Sequence, residues 1–179
     1  PLNMNTVAVA LRETPALCCQ AGTASGGKPE MRDLADRAFR HVAELTGLRG
    51  RWQTVGRNPT VVCDTGHNPG AWAYLSRQLA EVKCRQLRIV FGMVDDKDVC
   101  GVMSLLPKDA VYFFTKGSTK RAFPETSLKA YAERLGLRGD CHPTVEQACR
   151  AAMEGADSDD FIFVGGSTYV VADFMKLLP

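Results

Sequence analysis

The segment Asp64–Gly70, with the sequence DTGHNPG, places a carboxylate, an imidazole and a carboxamide directly after a short apolar run. Asn68 followed by Pro69 is a typical helix start, and the backbone N–H groups of a helix N-terminus attract anions. Asp64 can therefore accept hydrogen bonds from a ribose or position a cation, whereas His67 can bind a carboxylate or shuttle a proton. From the spacing alone, an equal alternative is a capped turn in which both side chains only satisfy the backbone.

Two further polar segments also follow apolar runs. In Asp95–Asp98, with the sequence DDKD, Lys97 can bind an anionic group while the carboxylates hold water or a metal ion. Taken alone, this segment favours a solvated turn in which Asp98 caps a helix. In Gly165–Ser167, the glycines permit a close approach of the backbone to a ligand, and the Ser167 hydroxyl can donate to a carboxylate or cap a helix.

Several other patterns point away from common types of active site. The segment Gly22–Pro29 nearly matches a phosphate-binding loop, but Pro29 stands where the magnesium-ligating hydroxyl residue is required, which favours a flexible linker. The basic segment Lys116–Arg121 can face phosphates, but a solvated loop is the simpler interpretation. The sequence contains neither a G-x-S-x-G nucleophile motif nor a C-x-x-C pair, and we predict no metal site within it.

Apolar runs and helix caps predict the elements that position these side chains. The predicted strands are Arg51–Val55, Thr60–Cys63, Leu87–Phe91, Ala110–Phe114, Asp140–His142 and Phe161–Val164. Predicted helices begin near Asn68, Asp98, Pro124, Thr144 and Ser167. The alternation of strand and helix predicts an α/β, Rossmann-like fold, with a mostly parallel sheet, helices on both faces and room for an antiparallel edge strand. Ligands of such sheets bind at the carboxyl ends of the strands, which is where the polar segments fall.

The composition is that of an ordinary globular protein. The chain has 179 residues, 45% of them hydrophobic, and a net charge of +2, which argues against a nucleic-acid binder. No apolar run is long enough to predict a membrane helix. Seven cysteines, mostly within apolar runs, indicate buried reduced thiols and a cytoplasmic protein. Residues 1–47, with a predicted helix over residues 30–46, are expected to be a tail or linker that precedes the domain at 48–179.

Five motifs in a fixed order give the sequence a family resemblance. They are Gly47–Gln53 (GLRGRWQ), Asp64–Pro69 (DTGHNP), Phe91–Asp98 (FGMVDDKD), Arg121-Ala122 and Gly165–Ser167 (GGS). Together they resemble the C-terminal domain of bacterial folylpolyglutamate synthase, which is often bifunctional with dihydrofolate synthase, in the Mur ligase superfamily. The resemblance covers residues 48–179, and residues 1–47 look like the tail of the preceding ATPase domain and its linker.

The resemblance implies an ATP-dependent, ADP-forming amide ligase in folate biosynthesis. ATP would phosphorylate a carboxylate of folate or dihydropteroate, and the amine of L-glutamate would then attack the acyl phosphate. By the same resemblance, Arg51 would reach the nucleotide phosphates, Asp64 would hydrogen-bond the ribose, and Asn68 would lie beside the nucleotide. Family members usually have Gly-Ala where this chain has Thr65-Gly66.

The same resemblance assigns the amino-acid substrate to three other side chains. His67, Lys97 and Ser167 would hold L-glutamate, whose two carboxylates need donors and positive charge. His67 and Lys97 would thereby serve as the catalytic residues. We expect these side chains, together with Arg51 and Asp64, to converge along one rim of the sheet.

The resemblance also sets limits on what this chain does alone. The phosphate-binding loop, most Mg²⁺ ligands and the folate site belong, in that family, to an N-terminal ATPase domain. The 179-residue chain is therefore expected to fold, to be a monomer and to lack ligase activity by itself. Two alternatives stay open: a Mur-type ligase domain of peptidoglycan synthesis, and a non-catalytic nucleotide-binding α/β domain.

Overall fold

Strands whose successive side chains point to opposite faces form a six-stranded sheet. The computed structural model describes residues 47–178, and the sheet and its helices belong to a unit that begins at Gly50. The predicted helix over residues 30–46 and the segment Gly22–Pro29 lie outside the described residues. None of the described helices combines the length and the apolar character needed to cross a membrane.

The sheet is parallel except at one edge. Its strands are β1 (Gln53–Gly56), β2 (Thr60–Asp64), β3 (Leu87–Phe91), β4 (Val111–Phe114), β5 (Arg138–Cys141) and β6 (Phe161–Gly165). They lie in the order β1-β2-β6-β3-β4-β5, and β1 alone pairs antiparallel, with β2. This topology confirms the predicted α/β fold, including the antiparallel edge strand.

Four helices connect successive described strands, and a fifth follows β6. They are α1 (Pro69–Ala80), α2 (Val99–Met103), α3 (Glu125–Arg134), α4 (Val145–Met153) and α5 (Thr168–Met175). Four of them begin at a side chain that accepts a hydrogen bond from a backbone N–H of the first turn, and the caps are Asn68, Asp98, Thr144 and Ser167. These caps could be predicted from the sequence because few residue types have a side chain that accepts a hydrogen bond from the unpaired N–H groups of a first helical turn.

The helices cover both faces of the sheet, so the strands are buried on two sides. On one face, Trp72 of α1 packs edge-on against Phe91 and Phe163, in a core that also includes α2 and α3. On the opposite face, α4 and α5 pack on the intervening strand residues, such as Val90 and Val164. Alternate residues of one strand thus enter different cores, which explains why β2, β3 and β6 carry apolar residues on both faces.

Candidate functional site

The predicted site residues lie in loops at the carboxyl edge of the sheet. In the parallel register Asp64 lies beside Gly165, and Phe91 lies on the other side of Gly165, so the loops after β2, β6 and β3 leave the sheet together. Because β1 runs antiparallel to β2, the residues that precede β1 reach the same edge. Arg51, the Asp64–Asn68 turn, Lys97 and Ser167 are thus all carried by segments at this edge.

Asp64 is buried, and both of its carboxylate oxygens accept backbone hydrogen bonds. The N–H of Trp52 donates to Oδ2 at 2.7 Å, and the N–H of Gly66 donates to Oδ1 at 2.7 Å. A third bond, from the N–H of Thr65 to the carbonyl of Gly50 at 2.9 Å, ties the same two segments together. Asp64 therefore fixes the segment that carries Arg51, and each oxygen retains lone-pair capacity for a ligand hydroxyl.

Arg51 and Asn68 both project from this clamped region and are exposed. Trp52, next to Arg51, has a φ of 42°, and its ring packs against Phe161 and Phe163, which anchors the chain directly after the arginine. The Asn68 Oδ1 atom accepts from the N–H of Ala71 at 2.9 Å, so its carboxamide N–H₂ group still points to no protein acceptor among residues 47–178. An exposed guanidinium and an exposed amide suit an anionic, hydrogen-bonding ligand.

The tautomer of His67 follows from its one ring contact with the described chain. Nδ1 lies 3.0 Å from the carbonyl oxygen of Thr65. Because a carbonyl can only accept, Nδ1 carries a proton, and this proton assignment is inferred from the contact. Nε2 is then an acceptor in the neutral ring and a donor in the imidazolium. His67 can therefore hold a carboxylate or take up a proton at Nε2 without losing its anchor.

Lys97 lies in the loop after β3 and is about one-third exposed. Its Nζ atom is 3.8 Å from the Oδ2 atom of Asp96, and 35% of its side chain is accessible. Asp98, at the end of the same segment, accepts from the N–H of Gly101 at 2.8 Å and so caps α2, as the sequence predicted. The ammonium of Lys97 therefore has donor capacity left for an anion.

Ser167 is almost completely buried, and its Oγ atom accepts from the N–H of Val170 at 3.2 Å. Its capping role is thus established, while the hydroxyl proton remains available to a further acceptor.

The glycines before Ser167 permit a close approach of the backbone to a neighbouring strand end, whereas the sequence analysis considered a close approach to a ligand. Gly166 has a φ of 97°, and a Cβ there would lie 2.6 Å from the carbonyl oxygen of Gly92. The close approach is to the neighbouring strand end, so it does not require a ligand.

The basic segment Lys116–Arg121 is largely exposed, as the sequence predicts for a solvated loop, but it also makes contacts with carboxylates from other elements. Lys116 lies 3.0 Å from the carboxylate of Glu125. The N–H and the hydroxyl of Ser118 donate to Asp173 at 2.6 and 2.7 Å, and Asp173 itself lies on α5. The partners come from distant parts of the chain, so no local pattern signals them.

The described thiols and carboxylates restrict the available chemistry. The five cysteines in the described part of the chain are all free, and burial raises the pKa of Cys63 to about 11, so its thiol stays protonated near neutral pH. Among residues 47–178, no group of three or more His, Cys, Asp or Glu side chains is arranged to hold a metal ion. Beside its carboxylates, this edge offers cations, hydrogen-bond donors and one imidazole, which can bind anionic substrates.

Comparison with known proteins identifies the family. The sequence matches the family model described as "Mur ligase, glutamate ligase domain" over residues 50–168. The dihydrofolate synthase/folylpolyglutamate synthase of Escherichia coli K12 is 34% identical over 149 residues, which are 82% of this chain and 34% of the relative. The probable bifunctional folylpolyglutamate synthase/dihydropteroate synthase of Haloferax volcanii is 36% identical over 125 residues, 69% of this chain and 15% of the relative. The chain thus spans at most about a third of these relatives.

Solved structures agree with the sequence comparison. The bifunctional folylpolyglutamate synthase/dihydrofolate synthase of Yersinia pestis, complexed with AMPPNP and Mn ion, superposes with a TM-score of 0.67 at 34% identity, covering 79% of this chain and 34% of that chain. E. coli FolC in complex with DHPP and ADP gives a TM-score of 0.65 at 33% identity, with coverage of 73% and 31%. The family match includes all six strands and four of the five helices in full. The chain therefore belongs to the Mur ligase family of glutamate ligase domains.

Proposed function

We propose that this chain is the C-terminal domain of an ATP-dependent, ADP-forming ligase that adds L-glutamate to folate or dihydropteroate through an acyl phosphate. The observation that carries the proposal is the arrangement of the carboxyl edge, where the segments bearing Arg51, Asp64, Lys97 and Ser167 meet in a member of this family. Relatives that carry both folate-related activities in their names support the choice of substrate class.

The nucleotide half of the proposed site comprises Arg51, Asp64 and Asn68. Arg51 is exposed, and the backbone beside it is fixed by the hydrogen bond from the Trp52 N–H to Asp64. Its guanidinium can therefore reach phosphate oxygens and stabilise the charge that develops during phosphoryl transfer. Asp64 accepts a ribose hydroxyl on a remaining lone pair, and the Asn68 amide donates to the nucleotide. Because Asp64 also fixes the Arg51 segment, the ribose contact and the phosphate contact are mechanically linked.

The glutamate half of the proposed site comprises His67, Lys97 and Ser167. The Lys97 ammonium and the Ser167 hydroxyl each donate to a substrate carboxylate. His67, anchored through Nδ1, presents Nε2 either as a donor to a carboxylate or as the acceptor of the proton that the attacking amine releases. These contacts hold the amine in line with the acyl phosphate and exclude water, so that amide formation is favoured over hydrolysis.

ATP and Mg²⁺ are the proposed cofactors, and the metal is assigned to another part of the protein. Bound Mg²⁺ would neutralise phosphate charge during transfer, but the described residues hold no cluster that fits it. An N-terminal ATPase domain of the same protein is therefore the proposed partner, and the complete enzyme is proposed to be a cytoplasmic monomer. The 179-residue chain is expected to bind substrates weakly and not to turn over.

The decisive experiment uses the full-length protein that carries this chain. We expect ADP release that depends on L-glutamate together with dihydropteroate or a reduced folate, and a mass increase of one glutamyl residue in the product. Release that requires a muramyl peptide acceptor in place of the pterin would identify a peptidoglycan-type ligase. Absence of ADP release with every acceptor, despite ATP binding, would identify a non-catalytic nucleotide-binding protein. The isolated chain serves as the negative control.

A further inference from the structure

Arg121 and Ala122 form a sequence motif for which the proposed function gives no role. In the structure this motif is attached to the loop that carries Lys97. Ala122 forms an isolated antiparallel bridge with Val94, and the N–H of Asp95 donates to the carbonyl of Arg121 at 2.9 Å. The loop after β4 is thereby joined along its backbone to the loop after β3.

The side chain of Arg121 completes this connection at Asp96. Its Nη2 atom donates to the Oδ2 atom of Asp96, and Lys97 Nζ lies 3.8 Å from the same oxygen. Two cations therefore share one carboxylate oxygen, and the guanidinium makes the closer contact. About half of the Arg121 side chain and 42% of the Asp96 side chain are exposed.

The local charge explains why a second cation is needed there. Lys97 is flanked in sequence by Asp95, Asp96 and Asp98, so an anionic substrate that approaches it also meets three carboxylates. Asp98 is engaged as the cap of α2. Asp96 is the carboxylate that competes for the Lys97 ammonium, and the Arg121 guanidinium, which contacts the same oxygen, offsets its charge.

We propose that Arg121 is a positioning residue: by binding Asp96, it leaves the Lys97 ammonium available for a carboxylate of the amino-acid substrate. This inference rests on the proposed function. It differs from a structural role, because exposed ion pairs of this kind contribute little to folding stability. Loss of Arg121 should therefore affect substrate affinity much more than it affects the fold.

The test measures glutamate kinetics in the full-length protein. Arg121→Ala is expected to raise KM for L-glutamate about tenfold with little change in kcat, since it weakens an interaction made equally in ground and transition states. Adding Asp96→Asn to Arg121→Ala removes the competing carboxylate and should return KM to within about twofold of the wild-type value. Arg121→Lys should show most of the wild-type affinity, and Arg121→Gln repeats the test with a longer side chain that is closer in size to arginine.

Lys120→Ala is the matched control, because Lys120 is an exposed cation next to Arg121. Its KM for glutamate should not change. An unchanged KM in Arg121→Ala and Arg121→Gln, or a raised KM that Asp96→Asn does not restore, would overturn the inference while the proposed function stands. A wild-type protein that adds no glutamate would overturn the proposed function and this inference with it.

Discussion

The two ends of the sheet use charged side chains in opposite ways. At the amino edge, Asp160 is fully buried, and its carboxylate accepts from Arg85 Nε, Arg85 Nη2 and Arg88 Nε, each at 2.9 Å. The N–H of Asp157 also donates to it, at 3.2 Å. At the carboxyl edge, by contrast, Arg51 is exposed and Lys97 has only a 3.8 Å contact with Asp96.

The two edges differ in whether their charged groups already have protein partners. The amino edge contains a cavity of about 480 Å³ lined by Lys83, Arg85 and Asp160 among others. Its buried carboxylate is already satisfied by two arginines, so it has little capacity left for a ligand. At the carboxyl edge, the Arg51 guanidinium and the Lys97 ammonium retain donor capacity and lie on segments that hydrogen bonds hold in place. Donors held in this way are suited to binding an anion.

The largest effect on stability is expected at the amino edge. Asp160→Asn leaves Arg85 and Arg88 without their shared carboxylate and should lower the free energy of unfolding by about 3 kcal/mol. Urea denaturation of the chain measures this change. Asp159→Asn is the control, because the Asp159 side chain is exposed. Equal losses in the two variants would contradict the assigned role of Asp160.

A smaller effect is expected at Asp64. Asparagine has one acceptor oxygen, so Asp64→Asn leaves the N–H of Trp52 or that of Gly66 unpaired and should destabilise the protein by about 1–2 kcal/mol. Hydrogen exchange should accelerate locally at the Trp52 amide. The control is Asp95→Asn, at an exposed position of the carboxyl edge. An unchanged Trp52 exchange rate would show that Asp64 does not hold the Arg51 segment.

The stability that the amino edge contributes should depend on pH. Burial opposes ionisation of Asp160, but hydrogen bonds from Arg85 and Arg88 outweigh it and lower the pKa of Asp160 below its ordinary value of 3.8. The stabilisation is therefore complete above the unfolded-state pKa and is lost as the pH falls through the folded-state pKa. Stability measured between pH 5 and pH 2 should decline less steeply in Asp160→Asn than in the wild type. Parallel declines would contradict this sign.

The smallest effect on stability, below about 0.5 kcal/mol, is expected for Lys97→Ala, because its ion pair is long and partly exposed. In the full-length protein, however, the same change should lower kcat/KM for glutamate at least about tenfold. Lys108→Ala, an exposed lysine that precedes β4 at the opposite edge, should change neither quantity. A Lys97→Ala variant that keeps full activity would remove this side chain from the proposed site.

Most of the fold could be predicted from local patterns. β3 spans Leu87–Phe91, the same residues as the sequence predicted, because an apolar run and Gly92 define both its ends. Where other strand ends differ, they do so by one or two residues: β2 and β6 extend through Asp64 and Gly165, since ladder hydrogen bonds continue beyond the apolar side chains. The contacts of the basic loop could not be predicted, because its partners, Glu125 and Asp173, follow it in sequence on separate helices.

The amino-acid sequence by itself determined the order of strands and helices, the caps and the family motifs, because these depend on residues close together in the chain. Tertiary structure alone decided which charges are free. Asp64 and Asp160 both adjoin buried strands, but only the folded chain brings two arginines to Asp160 and two backbone N–H groups to Asp64. The availability of a charged group depends on all its neighbours in space, and the sheet assembles those neighbours from segments far apart in sequence.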